Sequence, residues 1–77
     1  MISEEAFLQD LQNMLNRDES LSLDMDLLDI DEWDSFSKIA FLAMAKEKYH
    51  VELPRFTVAA ADTVQDLYDG VLECAEE

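Results

Sequence analysis

Leu27-Leu28-Asp29-Ile30-Asp31-Glu32-Trp33-Asp34-Ser35-Phe36 is the stretch on which the fold turns. Before it, from Arg17 onward, acids are interleaved with Leu21, Leu23, Met25, Leu27, Leu28 and Ile30 at no sustained helical period, which reads as a long loop pinned by apolar anchors. Loops of that length are uncommon inside a small domain unless they have a task. After it, Asp34 is a good N-cap for a helix from Ser35 to about Tyr49, with Phe36 near its start and Ile39, Leu42, Ala43 and Tyr49 as inward positions. The Asp24-Met25-Asp26 and Asp29-Ile30-Asp31 steps alternate like a strand, but no second strand is visible to pair with them, so a strand is not expected.

Upstream, Ser3 followed by Glu4 and Glu5 predicts a helix start, with a hydroxyl for the orphan amides and negative charge at the positive end of the dipole. Phe7, Leu8, Leu11, Met14 and Leu15 recur at three- and four-residue spacing opposite Gln9, Gln12, Asn13 and Asn16. Downstream, Val51-Glu52-Leu53-Pro54 reads as extended, because the residue before proline is pushed out of the α region. Phe56 to Ala60 suggests a short third helix. Asp62 or Thr63 caps a last one carrying Val64, Leu67, Tyr68 and Val71, which Gly70 weakens modestly and whose acids after Leu72 are expected to fray.

The whole of residues 1–77 is expected to form one domain, since so short a chain cannot fill a second core. Nineteen Asp and Glu against five Lys and Arg give a net charge of -14, while 49% hydrophobic residues argue against a disordered acidic tail. Such a surface repels phosphate backbones and anionic membranes, so neither nucleic acid nor membrane is an expected partner. An acidic start, a single cysteine, Cys74, and the lack of a long apolar run predict a cytoplasmic protein.

A calcium loop started at Asp24 fails, because Leu28 takes a ligand position, Asp29 replaces the obligatory glycine and Ser35 stands where the bidentate Glu belongs; no metal site is expected. A catalytic serine fails too, since Ser35 lacks the glycine-flanked elbow and the single histidine, His50, suits the end of a helix. What Ser35 does suit is a phosphate ester: an anion there meets free amides and the positive end of the helix dipole. On local sequence alone, a plain helix start is the better explanation of Asp34 and Ser35.

Asp34-Ser35-Phe36, preceded by the acidic, Leu- and Ile-bearing loop, resembles the Asp-Ser-Leu signature of acyl carrier proteins. The rest of the chain agrees in order and spacing: a first helix, the long loop, Ile39 to Tyr49, the Glu52-Leu53-Pro54 exit and Thr63-Val64-Gln65-Asp66 opening the last helix. The resemblance spans nearly the whole chain. It implies an all-α, four-helix bundle of the acyl-carrier type with a long first loop and a short third helix. It further implies a 4'-phosphopantetheine arm on Ser35, received from coenzyme A through a phosphopantetheinyl transferase that uses magnesium, with Asp34 and Phe36 beside it.

The arm's thiol would carry acyl groups as thioesters, sheltered in a soft cavity to which Met14 and Met44 are candidates. By the same resemblance the second helix docks acyl-loading and acyl-accepting enzymes, with Lys38, Ile39, Lys46 and Glu47 as contacts. The chain would be a monomeric carrier and not itself an enzyme. Phe36 departs from the usual Leu, Trp33 stands where a small residue is frequent, and Ser37, Ala40 and Lys46 stand where fatty-acid-synthase carriers are often acidic. Lys38, Lys46 and Lys48 add positive charge to that helix. These departures point to a specialised fatty acid, polyketide, peptide or polysaccharide pathway. The alternative is an adaptor of the same fold that binds partners through the second helix without a prosthetic group.

Overall fold

The computed structural model describes residues 2–75. Four α-helices, α1 (Glu4–Met14), α2 (Ser35–Tyr49), α3 (Arg55–Ala59) and α4 (Val64–Ala75), are joined by a long first loop holding one 3-10 turn at Leu27–Asp29. The architecture is all-α, with the expected long loop and short third helix. None of these helices is long and apolar enough to cross a membrane.

Local chemistry sets the helix ends. The Ala6 amide donates to Ser3 Oγ (3.1 Å), which starts α1. Asn16 closes it in the left-handed region at φ 55°, while the Arg17 amide donates to the Gln12 carbonyl and the Asn16 amide to the Asn13 carbonyl, each at 3.1 Å. This pair of bonds is the Schellman ending, and Asn tolerates its backbone better than most residues. His50 plays the same part after α2, at φ 57°, with the Val51 amide donating to the Ala45 carbonyl. At α4 the cap is reciprocal: the Asp66 amide donates to Thr63 Oγ1, and the Asp62 and Thr63 amides donate to Asp66 Oδ2.

The first loop is not free. Leu21, Leu27 and Ile30 are buried in the core, and Arg17 reaches across to Glu32 (2.7 Å) and Glu19 (3.1 Å). Its backbone is stitched to the approach to α4: Leu27 N–H to Asp62 carbonyl (2.9 Å), Val64 N–H to Met25 carbonyl (3.1 Å) and Gln65 N–H to Leu23 carbonyl (2.8 Å). A single antiparallel bridge joins Asp26 and Thr63. No strand forms among the described residues, as expected; the Asp24-Met25-Asp26 step makes only this isolated bridge, to the residue that precedes α4 and not to a second strand.

Phe7 occupies the centre of the core, fully buried, with its ring 5.1 Å from Tyr68, 6.1 Å from Phe41 and 6.4 Å from Tyr49 between centroids. The α1 stripe holds: Phe7, Leu11 and Leu15 are buried, with Leu8 and Met14 packed beside them. In α4, Val64, Leu67, Tyr68 and Val71 are buried as read. The helix also runs on through Cys74, which packs against the core instead of fraying. Residues 76 and 77, part of the acidic end expected to fray, lie outside the described residues.

The phase of α2 differs from the sequence reading. Phe41 and Ala45 are its buried residues, while Ile39 is 63% exposed, Ala43 is exposed, and Leu42 and Tyr49 are only half-buried. Phe41 wins the core position because its ring meets both Phe7 and Trp33. Tyr49 instead ties α2 to α1, donating its hydroxyl proton to Asp10 Oδ2 (2.6 Å) beside the Lys48 to Asp10 pair (3.2 Å). Burial first, then the Asp10 carboxylate, push the Tyr49 phenol well above its ordinary value. It stays a donor throughout the physiological range.

Candidate functional site: the Ser35 corner and the groove between α2 and α3

Ser35 is the first residue of α2 and is exposed. The corner is held from both sides. Asp34, in extended backbone, accepts from the Ser37 amide at 2.8 Å, and the Ser37 hydroxyl donates to the Glu32 carbonyl. Glu32 in turn is anchored by Arg17. This chain of contacts fixes the loop-to-helix junction while leaving Ser35 outside it. The amides of Ser35 and Phe36 belong to the first turn, where a helix supplies no acceptor.

The Ser37 amide bond holds the Asp34 carboxyl below its ordinary value, with the Ser37 hydroxyl as second cause. That hydroxyl has one proton, which the geometry gives to Glu32, so the amide carries the effect. Glu32 is lowered by its own backbone amide and then by Arg17, and Asp66 by the Asp62 and Thr63 amides. A carboxyl lowered by folding contributes stability that is in place above its unfolded value, about pH 4, and is lost as pH falls through the lowered folded value. Asp66→Ala should therefore be less stable than wild type at pH 7, with the gap shrinking below about pH 4. Circular dichroism during acid titration reads this; a gap that stays constant to low pH would mean that the cap works without its charge.

On α2, Ser35, Lys38, Ile39 and Leu42 follow at three- and four-residue steps and so share a face. Along that face runs a groove of about 190 Å³, walled by Lys38, Ile39 and Leu42 from α2 and Arg55, Val58 and Ala59 from α3. Larger depressions elsewhere carry carboxylates: Glu52 beside His50 and Cys74, and Glu4 with Asp24 beside Leu8.

Of the residues the sequence singled out, Asp34, Ser35, Phe36, Lys38 and Ile39 cluster at this corner. Phe36 points outward, 82% exposed. Lys46 and Glu47 do not join them; they lie eleven and twelve residues on, about 16–18 Å along the axis at 1.5 Å per residue, and Lys46 pairs with Glu52 (3.3 Å). Met14 and Met44 pack against the core and line no part of the groove. Sequence reasoning missed Arg55, Val58 and Ala59. Leu42 at the seventh position after Ser35 was the available signal for the face, but nothing in the sequence announces which turn of α3 lies across it.

Compared with protein-family models, curated proteins and solved structures, the chain gives no match in any of the three.

Proposed function

We propose that this chain is an acyl carrier protein: Ser35 bears a 4'-phosphopantetheine arm, and the bundle presents the thioester on that arm to loading and accepting enzymes. The observation that carries this reading is the exposed Ser35 at the first position of the longest helix, capped by Asp34 and set on the same helix face as an apolar groove. The residues fit a phosphodiester. First-turn amides and the dipole favour an anion at that oxygen, and Asp34, committed to the Ser37 amide, keeps the turn open toward it. Once attached, the arm supplies a thiol for reversible acyl transfer. Arg17, Glu32 and Ser37 hold the corner, and α2 with α3 forms an apolar wall against water.

Intact mass after incubation with coenzyme A and a phosphopantetheinyl transferase tests this directly. A single adduct is expected on the wild type and none on Ser35→Ala; wild type that stays unmodified with several transferases would overturn the reading. One observation favours the adaptor as second reading. Phe36 and Ile39 on α2 and Phe56 on α3 are 82%, 63% and 72% exposed, more large apolar surface than so small a domain needs to leave in water unless partners cover it.

A further inference from the structure

The five Lys and Arg side chains are not distributed evenly in their pairing. Arg17, Lys46 and Lys48 each have a carboxylate within 4 Å. Among the described residues, Lys38 and Arg55 have no such partner, and both line the groove between α2 and α3. Among the described residues, no acid lines it. In a chain of net charge -14, two cations with no carboxylate within 4 Å among the described residues line the same groove as the apolar Ile39, Leu42, Val58 and Ala59.

We propose that this groove binds a short alkyl chain ending in a carboxylate; on the carrier reading above, that ligand is an acyl group whose far end is acidic. A volume of about 190 Å³ equals roughly six waters at about 30 Å³ each, the size of a short alkyl segment. Apolar walls favour the chain and repel nothing but water. The two cations choose the end group. An acidic protein is a poorer occupant, since its contact face would bring further carboxylates within a Debye length, about 8 Å, of the surrounding negative surface, whereas a small anion meets chiefly the charges of the groove itself.

The test uses the unmodified protein, so its outcome is separate from whether Ser35 accepts the arm. Octanoate and 1-octanol are titrated at low salt while the methyl signals of Ile39, Leu42 and Val58 are followed by NMR. Octanoate should bind about fivefold more tightly, the factor expected of two partly exposed ion pairs, and added salt should erode that preference. In Lys38→Gln/Arg55→Gln the preference should vanish while octanol still shifts the same signals. Equal or tighter binding of octanol by the wild type, or a carboxylate preference that survives the double substitution, overturns the proposal. If Ser35 stays unmodified by transferase while octanoate still wins, the groove stands and the carrier reading alone falls.

Discussion

Phe7→Ala should cost about 3–5 kcal/mol, the usual range for removing a buried phenyl ring. The side chain is fully buried and stands between Phe41, Tyr49 and Tyr68, each on a different helix from its own. Its removal thus loses transfer energy, leaves a cavity and breaks three aromatic contacts together. A chain of 77 residues has about 4–12 kcal/mol in total at roughly 0.05–0.15 kcal/mol per residue. The variant should sit near or below the folding threshold. Urea denaturation should show a sharply lowered midpoint with the slope retained if the variant still folds, whereas Phe7→Leu, which keeps most of the volume, should lose much less. A midpoint for Phe7→Ala equal to that of Phe7→Leu would remove Phe7 from the centre of the core.

That hub was legible in the sequence because α1 has one clear stripe, and its position in the stripe leaves Phe7 no other side to face. The same holds for α4, where Thr63 and Asp66 mark the start and Val64, Leu67, Tyr68 and Val71 the buried face. Helix α2 was not legible in phase. Phe36, Ile39, Phe41, Leu42, Ala43 and Ala45 put apolar groups on every side, so two stripes compete and only the neighbouring rings of Phe7 and Trp33 decide between them.

The stripe that lost the core became the exposed one. Ile39, read as core, walls the groove beside Ser35 instead, and Leu42, half-buried against the core, shares that wall, so the misreading and the candidate site have one physical origin: a helix with more apolar surface than the core can take. The Asp26 to Thr63 bridge was illegible for another reason. It pairs residues 37 positions apart, and a local pattern carries no information about a partner so distant. The Ser35 corner could be read because a cap is a local device, needing only Asp34 and the amides that follow it.

Gly70 offers the sharpest test of how the groove is held. The sequence assigns it a helix penalty of about 1 kcal/mol relative to alanine, but the residue is buried, and a Cβ there would lie 2.8 Å from Thr57 Cγ2 on α3. Its absence lets α3 rest directly on α4. Gly70→Leu should force the helices apart, costing about 1–3 kcal/mol in overpacking, offset by about 1 kcal/mol of recovered helix propensity. At about 4–8 °C per kcal/mol for a domain of this size, the thermal midpoint should fall by up to about 15 °C. A five-residue helix has few contacts of its own, so α3 is the element that yields. With it moves the wall formed by Arg55, Val58 and Ala59. Octanoate should then lose its effect on Val58 while the junction before Ser35, held by Asp34, Glu32, Ser37 and Arg17 on the other side, keeps its geometry, so that on the carrier reading modification by the transferase is unchanged. Gly70→Ala, whose single methyl asks only that the Thr57 side chain turn, should come close to neutral. Should Gly70→Leu retain both the wild-type midpoint and the octanoate response, the α3 to α4 contact is slack, and the groove owes its shape to α2 alone.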